Sequence, residues 1–366
     1  MNIYPFKASH PREELITSPK SFFSTIKLQY REYKENNIYK DIDKKCLFVY
    51  EIKTETDTHL GLLTMTDVKE MAKKNILKHE KTLAAKEQQM MHLILQRKAL
   101  VKPVLLGFKS TPTINKTMKQ VAASKPTTQF YFESDKEHHT IWKVDDENII
   151  AKLIKHFASI KKAYIGDGHH RSATIKILSE SKQLKGEAQR FSQFYTAYFP
   201  FKQLRICDYN RVVDIGDIIS ETDYIIGLSK YFDITPLPKA MKPKKKHHIT
   251  SYIDGKWYKM KWKDKYIDKE KQKTLLDSAL INKYIFGSIL GIADVRVDTR
   301  ISYFGGTQPL TKIENATRKK IFGVGLCIYP VSVKELTSLA DKGQTLPPKS
   351  TWFLPRLKSG MITKDI

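Results

Sequence analysis

The stretch Ala163-Tyr164-Ile165-Gly166-Asp167-Gly168-His169-His170-Arg171, continued by Ser172-Ala173-Thr174-Ile175-Lys176-Ile177-Leu178, constrains this chain more than any other. It reads as a short buried strand, a glycine-bracketed turn and the first turns of a helix. Gly166 and Gly168 accept positive φ at almost no steric cost. A turn that delivers the chain into a helix start leaves backbone N–H groups converging on one spot, and such a spot attracts anions, phosphate above all. Arg171 adds a two-pronged donor for phosphate. Asp167 is a candidate base or magnesium ligand, and His169 a candidate phosphate donor or proton shuttle near neutral pH. The same residues also suit a plain strand–helix turn in which Asp167 caps the helix and the histidines are structural.

The remaining chemistry-bearing stretches lie at the two ends. In Lys78-His79-Glu80-Lys81-Thr82, Glu80 is a candidate general base or metal ligand, with His79 and Thr82 beside it. Ordinary pairing at a helix entrance explains the same residues. Near the C-terminus, Pro347-Pro348-Lys349-Ser350-Thr351 offers an ammonium and two hydroxyls after a rigid Pro-Pro. It resembles a phosphate loop in chemistry but lacks the glycine spacing of a Walker loop, and Ser350 and Thr351 suit a turn equally well. The histidine pairs 138–139, 169–170 and 247–248 are not expected to bind zinc, since neighbours on a strand point to opposite faces.

Length and charge bound the partners. A chain of 366 residues is expected to form two domains. The balance of 64 Lys+Arg against 39 Asp+Glu gives +25, which fits either a polyanionic partner or a general bias toward lysine. Cys46, Cys207 and Cys327 have no paired spacing, so a reducing cytoplasm is the expected compartment. No leader peptide and no membrane span are expected.

Along the chain, a mixed helical or loop stretch is expected over 11–39, and strands over 46–52 and 60–68. A helix over 83–100 leads to a buried strand over 103–108 and a short helix within 110–127. Strands follow at 130–132 and 139–144, then a helix over 145–157 capped by Asp145 or Asp146. The helix after Arg171 is expected to end near Lys185-Gly186. Strands follow over 191–201 and 204–213. A second unit begins there, with helices over 218–231, 274–290 and 332–343 and a hairpin across Asp254-Gly255. Lys239 to His248 reads as a flexible basic loop.

The glycine-bracketed turn resembles the hallmark of the domain-of-unknown-function family 1015. Further matches follow the family's order: Lys78 to Thr82, then Arg300-Ile301 with Gly305-Gly306, then Pro347 to Phe353 with Pro355 and Ser359-Gly360. Shorter echoes are Pro5-Phe6 and Asn210 to Val213. The Asp-Gly-His-x-Arg core is in turn similar to ParB/sulfiredoxin-type nucleotide-binding domains and to free-serine kinases of that superfamily.

The resemblance implies an α/β (mixed α+β) fold, with a ParB/sulfiredoxin-like phosphate- and nucleotide-binding core over 1–213 and a C-terminal α+β lobe over 214–366. It implies small-molecule phosphoryl transfer, serine kinase- or phosphatase-like, with ADP or ATP and Mg²⁺. Asp167, His169 and Glu80 would be catalytic. Gly166, Gly168, His170, Arg171, Lys349, Ser350 and Thr351 would bind phosphate, and His79, Thr82 and Arg300 would line the pocket. A nucleotide-gated regulatory or DNA-binding protein is the alternative, though no helix-turn-helix follows the core and nucleic acid is not the expected partner. An inactive member is a further alternative, because Ser9-His10-Pro11-Arg12-Glu13-Glu14 lacks the Asp of the family's N-terminal element, where Glu13 or Glu14 would have to substitute.

Overall fold

The computed structural model describes residues 1–184, 186–216, 218–268 and 276–366. The fold is mixed α+β, in two compact units. One comprises residues 1–205 and 355–366, the other residues 206–354. The boundary expected at 213/214 would cut through the Tyr209–Asp214 strand, which is bonded on both sides within the second unit. The last twelve residues return to the first unit.

The first unit is built on one mixed sheet. Its order runs Ile76–Leu77, Ala163–Asp167, Val104–Phe108, Gln193–Pro200, Thr58–Asp67, Tyr39–Lys53, Glu137–Val144, Thr128–Phe132. Cys46 to Tyr50 and His59 to Thr66 are buried without a break, as in strands covered on both faces. Residues 11–39, expected as mixed structure, hold a single long helix, Pro19–Glu35. Ser18 caps it and Pro19 opens it, the combination that favours a helix start. Asp146 is the cap of Glu147–Ala158. The C-terminal segment is stitched in by Tyr39 Oη donating to the Gly360 carbonyl (2.8 Å) and by reciprocal backbone bonds between Ser9 and Thr363 (3.0 and 2.9 Å).

The second unit is an antiparallel sheet ordered Phe232–Leu237, Lys256–Trp262, His248–Ile253, Gly323–Cys327, Tyr209–Asp214, Ile301–Gly305. Trp262, Tyr224, Ile285 and Phe286 belong to its core. At the hairpin tip Asp254 and Gly255 both take positive φ, 43° and 73°, the primed-turn geometry that matches strand twist. The helix expected over 274–290 is a short α-helix, Asp277–Leu280, followed by a π-helix, Ile281–Ile289; Thr274 and Leu275 lie outside the described residues. The basic stretch is tied down rather than loose. Lys246 pairs with Glu335, and the backbone N–H of His247 donates to Asp277 Oδ2 at 3.1 Å.

Candidate functional site

The site strand Ala163–Asp167 ends in a bulge. Ile165 pairs with Leu106 and Asp167 with Leu105, so Gly166 is the extra residue, and the strand end is re-aimed there. Gly168 then takes φ 103°, ψ 30° and caps the site helix His169–Ser179. A Cβ on Gly168 would lie 2.6 Å from Arg171 Nη2, so the guanidinium lies directly across the glycine. The helix has no side-chain cap, which sets aside the reading of Asp167 as a capping residue. It ends at Ser179 rather than near Gly186; Lys185 is outside the described residues.

Asp167 is instead held between two guanidinium groups. Arg171 Nη2 donates to its Oδ2 at 2.8 Å and Arg356 Nη1 to its Oδ1 at 3.3 Å. Burial alone pushes the carboxyl pKa up, but the charges of Arg171, Lys102 and Arg356 outweigh burial and hold it well below the usual carboxylate range. A carboxylate held that low is a poor general base; it orients the cations. Lys102 feels the opposite pressure. Burial first, then the nearby Arg171 charge, brings its amine down to about 7. Three half-buried cationic side chains thus converge on Asp167, a setting that favours an anion. Arg171 Nε is also buried without a hydrogen-bond partner.

Two buried imidazoles adjoin this cluster. His79 and His169 meet edge to face, with centroids 4.5 Å apart. Burial lowers His79 to about 4, against a hydrogen bond to Ile165. Burial and then the His79 ring push His169 well below its ordinary value. Both are neutral at pH 7. His169 Nε2 is buried without a hydrogen-bond partner, while Nδ1 faces Glu80 Oε2 at 4.0 Å. His170 accepts the backbone N–H of Leu83 at 3.2 Å, so it anchors the loop carrying His79, Glu80 and the half-buried Thr82.

The structure therefore brings His79, Glu80, Asp167, Gly168, His169, His170 and Arg171 together. Lys349, Ser350, Thr351 and Arg300 belong to the second unit. There Ser350 Oγ donates to the Pro347 carbonyl (2.7 Å) and lies 2.8 Å from Ser278 Oγ, Arg300 pairs with Asp298, and the Lys349 ammonium lies 5.4 Å from the Tyr209 ring centre. The buried Arg211 donates to the Tyr209 carbonyl and at 3.4 Å to the Lys349 carbonyl, so the tail motif packs around a buried arginine.

Asp167 does not suit a magnesium ion held by the protein, because both its oxygens face guanidinium groups. Among the described residues no group of three His, Cys, Asp or Glu side chains could hold a metal. Two cluster residues had no role in the sequence reading, Lys102 and Arg356. The available signal was a lone lysine, Lys102, in the otherwise apolar run Ala99 to Phe108.

The family model described as protein of unknown function (DUF1015) matches residues 6–280. The chain belongs to this family. No curated protein matches this DUF1015 member. Among solved structures it is similar to C-terminally truncated SbnI from Staphylococcus aureus, at 12% identity and TM-score 0.43, covering 82% of this chain and 85% of that one. It is similar to a free serine kinase in complex with AMP, at 10% identity and TM-score 0.39, covering 82% and 92%. A conserved hypothetical protein from Pyrococcus furiosus matches at 11% identity and TM-score 0.39, covering 83% and 94%. Likenesses at this level specify no site. Among the described residues no helix is long and apolar enough to cross a membrane.

Proposed function

We propose that the 166–171 turn is the phosphate site of a small-molecule phosphotransferase, using ADP or ATP and a small hydroxylated metabolite. The observation that carries this reading is the meeting of Arg171, Lys102 and Arg356 at Asp167, beside a helix start with no side-chain cap.

In this reading Arg171 and the first-turn amides hold the transferring phosphoryl group, and Asp167 keeps Arg171 in place. The acceptor hydroxyl oxygen attacks phosphorus, the bond from phosphorus to the nucleotide's bridging oxygen breaks, and that oxygen leaves with the electron pair. The hydroxyl proton passes to His169 Nε2, which is neutral and has no other hydrogen-bond partner; burial lowers its basicity, and the approach of the Glu80 carboxylate offsets this. Glu80 on the Nδ1 side stabilises the imidazolium as it forms. Its 4.0 Å separation is longer than a hydrogen bond and would close when substrate binds. Positioning and charge supply most of the rate enhancement in such transfers.

Isothermal titration with ADP, ATP, CTP and O-phosphoserine, with and without Mg²⁺, tests the proposal. Binding of at least one, lost in Arg171→Ala, is expected. Absence of binding to all of them overturns it.

A further inference from the structure

Beside Arg171 lies a cavity of about 70 Å³ within the first unit, under the Ala84–Arg97 helix. Its walls are hydrocarbon: Leu93 and Ile94 from that helix, Ile175 from the site helix, and Phe194 from the sheet. Four cationic side chains also line it, Lys27, Arg97, Lys102 and Arg171. Among the described lining residues there is no carboxylate. The Arg97 guanidinium donates to the carbonyls of Ala99 (2.9 Å) and Lys27 (3.3 Å).

We propose that this cavity takes the aliphatic body of the small acceptor molecule whose phosphate or hydroxyl end meets Arg171 and Lys102, making the substrate a short-chain hydroxy compound without an amino group. The inference rests on the phosphate-site reading above. Three features of the cavity lead to it. Its volume is about half of the ~150 Å³ dry cavity that holds benzene, which suits a chain of a few carbons. Its apolar walls favour methylene groups. Its cationic wall, with Arg97 and Arg171 foremost, opposes an ammonium, and the nearby Asp167 carboxylate is already bound by Arg171 and Arg356. An amino acid is thus the wrong acceptor for this wall, and an uncharged or carboxylated aliphatic chain the right one.

Titration of the full chain with inorganic phosphate, n-butyl phosphate and O-phosphoserine tests this. Each buried methylene contributes ~0.8 kcal/mol, so two to three of them make butyl phosphate about fifteen- to fiftyfold tighter than phosphate, and tighter than phosphoserine. Leu93→Trp, which fills the cavity from a half-buried position, is expected to erase the chain-length gain while phosphate still binds. Met90→Phe, on the same helix and wall, is the second variant should Leu93→Trp fold poorly. Phosphate binding with no gain for the butyl ester, or with phosphoserine the tightest, overturns the substrate class and leaves the phosphate site standing. No binding of any of the three overturns both.

Discussion

Arg356 Nη1 lies 3.3 Å from Asp167 Oδ1, an ion pair between residues 189 positions apart in the chain. Asp167 is already bound on its other oxygen by Arg171, one helical turn away. The local pair and the distant pair together make the carboxylate a brace for two guanidinium groups. The C-terminal segment is thereby part of the candidate site.

Removing the two arginines should have graded effects. A hydrogen bond to a charged group is worth ~1.5–3 kcal/mol. Arg171→Ala should therefore lower affinity for phosphate or nucleotide by about a hundredfold. The more exposed Arg356→Ala should lower it by about tenfold, with Arg356→Lys recovering part of the loss. Titration calorimetry measures each; an unchanged affinity in Arg171→Ala would remove the turn from the site.

Gly168→Ala tests the backbone. Its φ of 103° is one that side chains rarely adopt, and the new methyl would stand 2.6 Å from Arg171 Nη2. Strained backbone of this kind costs ~1–3 kcal/mol, so the melting temperature should fall by several degrees and anion binding should weaken with it. A variant with wild-type melting and binding would show that Arg171 does not need to cross Gly168.

Lys102 links anion binding to protons. Its folded pKa of about 7 lies below the ordinary ~10.4 of an exposed lysine. The unfolded chain therefore binds more protons between pH 7 and 10, and stability rises with pH across that window. A bound anion favours the charged amine, so phosphate binding at pH 8 should take up protons. Titration in two buffers of different ionisation enthalpy reads this directly. Lys102→Met should abolish the uptake, weaken binding, and raise the stability of the ligand-free protein at pH 7. Equal uptake in the variant would assign the proton elsewhere.

The imidazole pair sets a limit in acid. His79 has a folded pKa of about 4 against ~6.5 unfolded. The unfolded chain holds the extra proton between these values, so stability is full above pH 6.5 and falls toward pH 4, by on the order of 3 kcal/mol for this one group. His169 adds to the loss in the same direction. Urea unfolding at a series of pH values should show the decline, and His79→Gln should flatten it. A profile as steep in the variant would place the acid sensitivity in other groups.

The strand–turn–helix from Ala163 to Ser179 was legible in the sequence because its causes are local. An apolar run, two glycines and a helix-forming sequence occupy consecutive positions, and the short-range pair Asp167–Arg171 is a matter of one helical turn. The strands at 46–52, 60–68 and 103–108 were legible for the same reason. Residues 11–39 carry only a mixed helical or loop expectation, although Ser18-Pro19 marks the start of the long helix Pro19–Glu35 and Phe22, Phe23, Ile26 and Tyr30 form its buried stripe. The π-helix Ile281–Ile289 carried no recognised local signal.

The sequence by itself determined the turn, the glycine at the forced φ, and the set of charged residues placed on it. Only the tertiary structure decided what those residues do. Sheet order puts Ala163–Asp167 between Ile76–Leu77 and Val104–Phe108, which carries His79 to the ring of His169. The returning C-terminal segment delivers Arg356, and burial, which no local pattern reports, lowers Lys102 and both histidines while three cations hold Asp167 ionised. Local conformation follows from covalent geometry and short-range sterics. The protonation state and partner of each group follow from desolvation and from charges brought close by chain segments far apart in sequence.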